Sequence, residues 1–169
     1  MVDKTYVSWD KWNSYMGTIT REMAKEGYRP DVILGPGRGG YTGGVMLSHY
    51  YEVPFEGFRW QTRDGDIKDA ETLNHILTHY VGKNILIFDD INDSGATLQG
   101  INDEVEKLPE IFLHGEVKYA TIFAKESSNF DAVSFRAVNV LPDEENWIVF
   151  PYEDWWVQCV ADLQENTKQ

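Results

Sequence analysis

Apolar residues recur at Trp9, Trp12, Met16, Ile19 and Met23, a three- and four-residue spacing that predicts an amphipathic helix with one buried stripe. Ser8 suits the start of that helix and Gly27 its end. The stripe of Trp and Met reads as core. Asp31-Val-Ile-Leu-Gly35 is a short, unbroken apolar run, as expected of a strand covered on both faces. A glycine-rich loop follows, then an apolar helix from about Tyr41 to Tyr51. Phe55 to Trp60 predicts a second strand, and the polar, aperiodic stretch from Thr62 to Asp69 a mobile loop. Helical spacing returns over Glu71 to Tyr80, strand character over Asn84 to Phe88, and helix over Ala96 to Leu108. Val117 to Phe123 is another apolar strand, and the weak alternation of Val133 to Val140 suits a short extra one. Strands alternating with helices predict an α/β fold built on a doubly wound parallel sheet.

Length and composition narrow this picture. A chain of 169 residues predicts one domain spanning residues 1–169. The 42% hydrophobic and 25% charged residues fit a soluble globular protein. No apolar run approaches the roughly 18 residues a membrane span needs, so no membrane partner is expected. Met-Val-Asp-Lys-Thr at the start lacks an apolar signal core, so a cytoplasmic location is expected. Cys159 is the single cysteine, which excludes an internal disulfide and fits a reducing compartment. The net charge of −13 leaves no basic footprint, so nucleic acid is not an expected partner. Any phosphate-bearing ligand must be drawn in by local backbone donors, a cation and a few basic side chains.

Candidate chemistry concentrates in Ile85-Leu-Ile-Phe-Asp89-Asp90-Ile-Asn-Asp93-Ser94-Gly95-Ala96-Thr97-Leu98. An apolar run ends in two acids and turns into a loop of small and hydroxyl residues. Paired carboxylates suit ribose hydroxyls or a hard cation. Backbone N–H groups entering a helix suit a phosphate. Ligands of open α/β sheets bind at that edge of the sheet. A second loop, Gly35-Pro-Gly37-Arg38-Gly39-Gly40, satisfies the dinucleotide pattern G-x-G-x-x-G. The following strand ends in Phe58-Arg59-Trp60 rather than in an acid, which argues against that reading. Arg38 among glycines better suits a pyrophosphate, with the guanidinium forking onto its oxygens. His75 and His79 stand four apart, a metal-binding spacing, but no third ligand is evident nearby.

The acid-pair segment closely resembles the phosphoribosyl pyrophosphate (PRPP) signature of type I phosphoribosyltransferases. The Gly37–Gly40 loop resembles that family's pyrophosphate loop, in which the peptide before the arginine is often cis. Ala124-Lys125, followed some twenty residues later by Trp147-Ile148-Val-Phe-Pro151-Tyr152-Glu153, resembles the 6-oxopurine branch, most similar to bacterial xanthine-guanine phosphoribosyltransferases. Tyr6-Val-Ser-Trp9-Asp10 also resembles the start of that group. The resemblance implies a core at about 6–125 with a small base-binding hood at about 126–156. It implies transfer of a 5-phosphoribosyl group from PRPP to a purine, with pyrophosphate released and Mg2+ as cofactor. Asp93, Ser94, Gly95, Ala96 and Thr97 would bind the 5′-phosphate. Asp89 and Asp90 would hold the ribose hydroxyls and the metal, and Gly37, Arg38, Gly39 and Gly40 the pyrophosphate. Asp93 and Arg38 would be catalytic.

In the base site the resemblance implies that Lys125 contacts the 6-oxo group, Trp147 stacks on the base, and carbonyls of Ile148 and Glu153 read the 2-position. Homodimers or homotetramers are implied as well. Between Thr62 and Lys83, where relatives carry a flexible catalytic loop, the match is weakest, leaving Arg59 and Arg63 as candidates only. The tail from Asp154 through Trp155 and Trp156 departs from the group and suits an extra helix or a subunit contact. Two rivals remain open: a non-catalytic PRPP- or nucleotide-sensing regulator on the same fold, and an enzyme acting on adenine or a pyrimidine.

Overall fold

The structure is a computed structural model and describes residues 3–62, 67–109, 115–141 and 146–156. Arg63 and Cys159 lie outside the described residues, as does the tail after Trp156.

Strand β1 spans Lys4–Tyr6 and helix α1 spans Trp9–Lys25. The helix starts where the Ser8 side chain accepts from the Lys11 N–H, and Gly27 follows its end at φ +66°. Its stripe of Trp12, Met16, Ile19 and Met23 is buried, whereas Trp9 is half exposed. The remaining elements are β2 (Val32–Pro36), α2 (Gly37–Tyr51), β3 (Phe55–Phe58), β4 (Trp60–Gln61), β5 (Ile67–Lys68) and α3 (Ala70–His79). After them come β6 (Ile85–Asn92), α4 (Ala96–Glu106), β7 (Val117–Lys125), β8 (Phe135–Val140) and β9 (Trp147–Val149).

Five strands form one sheet in the order β3-β2-β6-β7-β8, with every neighbouring pair parallel. Side chains of a strand alternate between faces, and this sheet uses both. Ile33, Leu86, Phe88 and Ala120 meet α1 and α2, through Trp12, Met16, Leu47 and Tyr51. Val32, Leu34, Ile85, Ile87 and Tyr119 meet α3 and α4, through Leu73, Leu77, Leu98 and Ile101. The α/β doubly wound sheet is thus the architecture observed. Strands β2 and β6 are neighbours, yet the chain leaves β2 into α2 on one face and leaves β6 into α4 on the other. Such divergence opens a crevice beyond the strand ends, the place where open α/β sheets bind ligands.

Three elements differ from the sequence-based expectation. Residues Gly37–Gly40 form the first turn of α2 rather than a loop before it. Pro36, at φ −75°, leads directly into the helix, and the glycines let α2 lie close to the sheet, Gly43 beneath the Phe88 ring and Gly44 beneath Phe55. Strand β6 continues through both acids to Asn92, because β7 pairs with it as far as Asn92 opposite Ala124. Part of the expected loop after Trp60 is an antiparallel hairpin, with Trp60 opposite Lys68 and Gln61 opposite Ile67. A fourth feature has no signal in the sequence: β1 and β9 pair in parallel, Lys4 with Trp147 through Tyr6 with Val149.

Candidate active site

The crevice between β2 and β6 opens into a cavity of about 1110 Å³. On one side stand Gly37, Arg38 and Gly39, from the first turn of α2. Asp89, Asp90 and Asp93 form the floor at the end of β6, and Ser94 to Thr97 lead into α4. Arg59, Trp60, Gln61, Thr62 and Ile67 come from the β4–β5 hairpin, while Trp147, Tyr152, Glu153, Asp154 and Trp156 close the C-terminal side.

Both helix ends on this cavity are open. Pro36 and Gly95 are the N-caps of α2 and α4; neither supplies a side-chain cap hydrogen bond, and neither first turn carries an acid. The Ala96 N–H reaches the Ser94 hydroxyl only at 3.4 Å. Unclosed N–H groups with the positive end of the helix dipole suit an anion. Gly95 takes φ +86°, which a side chain would oppose, and its α-carbon faces Ser128 and Phe130. That neighbouring turn braces the loop from behind. Asn129 N–H donates to Ser94 O at 3.1 Å, and the Asn92 amide donates to Phe130 O at 2.8 Å.

Gly39 is required by the acids. A Cβ there would lie 2.6 Å from Asp89 Oδ1 and 2.7 Å from Asp90 Oδ1. The two carboxylates therefore stand directly against the first turn of α2. Burial, followed by the charge of Asp90, pushes the Asp89 carboxyl well above its ordinary range. Burial is also the main cause at Asp90, raising it to about 6 against the lowering effect of a hydrogen bond from Tyr152. Tyr152 Oη donates to Asp90 Oδ2 at 2.5 Å, and burial beside these acids pushes the phenol upward.

A buried and a half-buried carboxylate side by side fit a hard divalent cation such as Mg2+. Among the described residues no group of three or more His, Cys, Asp or Glu could hold a metal. Among the described residues Asp89 and Asp90 would thus hold such an ion, and substrate oxygens and water would have to complete the set, as is common for Mg2+. His75 and His79 are included in that absence.

Of the residues singled out from sequence, Gly37, Arg38, Gly39, Asp89, Asp90, Asp93, Ser94, Gly95, Ala96, Thr97, Trp147 and Glu153 all line the one cavity. Gly40, Lys125 and Ile148 do not. Gly40 is buried behind the wall, where a Cβ would come within 2.6 Å of Phe88 O and Pro36 Cδ. Lys125 Nζ reaches the site indirectly, through an ion pair of 2.6 Å with Asp93. Ile148 packs against the core from β9. The Glu153 carboxylate turns back to accept from Phe150 N–H at 2.8 Å. Gly37 has φ +52°, and no cis peptide bond precedes Arg38.

Sequence reasoning gave Tyr152, Thr62 and Trp156 no place in the site, reading the Trp155-Trp156 tail as an extra helix or subunit contact. Thr62 and Thr97 hydroxyls lie 3.1 Å apart, tying the hairpin to the phosphate-type loop. Trp156 is 52% exposed on the cavity rim. Only Tyr152 had a usable signal, its place in a segment already marked by Trp147 and Glu153.

A model of the phosphoribosyl transferase domain family matches residues 9–154. A comparison with curated protein sequences finds no match. Among solved structures, a purine phosphoribosyltransferase from Pyrococcus horikoshii Ot3 is 25% identical, with 90% of this chain and 95% of that one covered and a TM-score of 0.66. The xanthine-guanine-hypoxanthine phosphoribosyltransferase of Helicobacter pylori shares the fold at 19% identity, 94% and 99% coverage and a TM-score of 0.68. So does a Neisseria gonorrhoeae protein solved with bound ppGpp, at 18% identity, 99% and 98% coverage and a TM-score of 0.72. The family match spans α1 through the turn after β9, and so takes in both open helix ends and the acid pair between them: this chain belongs to the phosphoribosyl transferase domain family.

Proposed function

We propose that the protein transfers a 5-phosphoribosyl group from PRPP to a 6-oxopurine, releasing pyrophosphate. The observation that carries this reading is the pair of open helix N-termini, α2 and α4, flanking Asp89 and Asp90 in one cavity. One end suits a 5′-phosphate, the other a pyrophosphate, and the acids between them suit a ribose. The similarity to a purine phosphoribosyltransferase supports a purine acceptor.

In this mechanism Ser94 to Thr97 bind the 5′-phosphate through backbone N–H groups and the Thr97 hydroxyl. Asp89 and Asp90 orient the ribose. Bond cleavage at the anomeric carbon builds positive charge on the sugar, as in glycosyl transfer generally, and negative charge on the departing pyrophosphate. The Gly37–Gly39 turn and Arg38 stabilise that leaving group. Mg2+ held by Asp90 and Asp89 would neutralise further charge on it. Asp93 accepts the proton of the attacking nitrogen, and its ion pair with Lys125 holds the carboxylate in place. Lys125 acts on the site through that ion pair, and Trp147, 46% exposed on the rim, would offer a face for stacking.

A PRPP-dependent pyrophosphate-release assay with Mg2+ tests this against guanine, xanthine, hypoxanthine, adenine, uracil and orotate. Activity confined to the 6-oxopurines, and lost in Asp93→Asn, is the expected result. Release only with adenine or a pyrimidine would overturn the acceptor. No release with any base, from protein that still binds PRPP, would overturn the enzyme and favour a nucleotide-sensing regulator.

A further inference from the structure

Tyr152 and Asp90 are 62 positions apart in the chain and share the 2.5 Å hydrogen bond described above. The phenol is held rigidly. Its ring stacks on Phe150 at 5.6 Å and 3°, and stands edge-on to Trp12 at 5.4 Å and 87°. The turn carrying it is clamped twice, by Glu153 N–H donating to Phe150 O at 3.0 Å and by Phe150 N–H donating to the Glu153 carboxylate. On the other side, Asp90 Oδ1 faces Gly39 in the first turn of α2. One oxygen of this carboxylate thus belongs to the α2 side and the other to the segment that begins with Trp147. The hydrogen bond fixes Oδ2, and the close approach of Gly39 on the Oδ1 side narrows the room in which the Asp90 side chain can rotate.

We propose that Tyr152 is a positioning residue for the transfer reaction: its hydroxyl sets the orientation of the Asp90 carboxylate, and so aligns the ribose-pyrophosphate end of the substrate from the segment that carries Trp147. This rests on the phosphoribosyl-transfer reading above. A hydrogen bond to a charged group, lost without changing the shape of the ring, costs about tenfold or more in the affinity it supports. The loss falls on the substrate that Asp90 holds. The acceptor base is affected much less, because the Tyr152 ring and the Trp147 rim remain.

The test is Tyr152→Phe in the full chain. Two quantities are read: the ratio of KM for PRPP to KM for the base at saturating Mg2+, and the rise in melting temperature that PRPP with Mg2+ induces without any base. The expected result is a ratio raised at least fivefold, with a smaller PRPP-induced rise than in wild type. A merely structural hydroxyl would lower the melting temperature of the ligand-free protein and leave the ratio unmoved. A ratio changed less than fivefold therefore overturns the proposal, whatever the stability. Tyr152→Leu keeps an apolar side chain without any donor and is read by the same criteria should the phenylalanine variant fail to fold. If wild type itself shows neither a PRPP-induced shift nor turnover, the transfer reading falls and this proposal with it. If wild type binds PRPP and the variant behaves identically, this proposal alone falls.

Discussion

Helices α1 and α3 are closed at their N-termini, and helices α2 and α4 are not. Ser8 accepts from Lys11 N–H at 3.2 Å and Asp69 from Thr72 N–H at 3.1 Å, with Asp10 and Glu71 adding a charge to each first turn. At α2 and α4 neither the cap nor the acid is present. The same sheet is thus covered on each face by one helix finished for stability and one left for a ligand. A capping side chain contributes about 1 kcal/mol. Omitting it twice, and only at the switch point between β2 and β6, is a stability cost concentrated at the cavity. The acid pair follows the same logic, since two neighbouring carboxylates, one buried and one half-buried, disfavour the ligand-free fold.

The comparison breaks most severely if an open end is closed. Ala96→Asp places a carboxylate in the first turn of α4, facing the cavity. At a few ångströms from a bound phosphate, one such charge is expected to lower kcat/KM for PRPP on the order of 100-fold or more. The melting temperature should hold or rise slightly, since an acid suits a helix start. A variant that keeps full PRPP-dependent turnover would show that α4 does not hold the phosphate.

Asp90→Asn comes next. Activity is expected to fall steeply, while the ligand-free protein becomes more stable at pH 7.5 by about 2 kcal/mol, allowing for water in the cavity. The sign follows from the direction of the shift. Asp90 titrates at about 6 in the fold, above an ordinary carboxyl. Its favourable contribution is therefore complete below about pH 4, the unfolded value, and is lost as pH rises through 6. Denaturant melts from pH 4.5 to 7.5 should show a decline in wild type that the asparagine variant makes shallower, the remainder coming from buried Asp89. Parallel curves for the two proteins would remove Asp90 as the source.

On the closed side the effects are smaller and of opposite kind. Ser8→Ala should cost about 1 kcal/mol in chemical denaturation and leave both KM values unchanged. Asp10→Asn should cost roughly 0.5 kcal/mol, again without a kinetic effect. A kinetic change in either would mean that α1 takes part in the site.

Much of the site was legible because its parts are local. The run from Ile85 to Leu98 encodes strand, acids, turn and helix start within 14 consecutive positions. The α1 stripe was equally readable, from Trp12 to Met23, because helical periodicity repeats every few residues. The errors fell where neighbours in space decide. Gly37–Gly40 looked like a loop by composition, yet it starts α2, where Gly39 and Gly40 let the helix lie against the acid pair and the Phe88 backbone. The strand expected to end at Phe88 runs on to Asn92 because β7 is there to pair with it.

The sequence alone determined the alternation of the main strands and helices, the α/β class, and the two segments that carry the charged and glycine-rich chemistry. Period, turn residues and acid pairs act over a few positions, so a linear reading captures them. Only the tertiary structure decided that Lys125 meets Asp93, that Lys4–Tyr6 pairs with Trp147–Val149, and that Tyr152 reaches Asp90 across 62 residues. Those contacts depend on how two layers of helices and five strands close on one another. No local pattern states that distance, because it is fixed by the packing of the whole sheet.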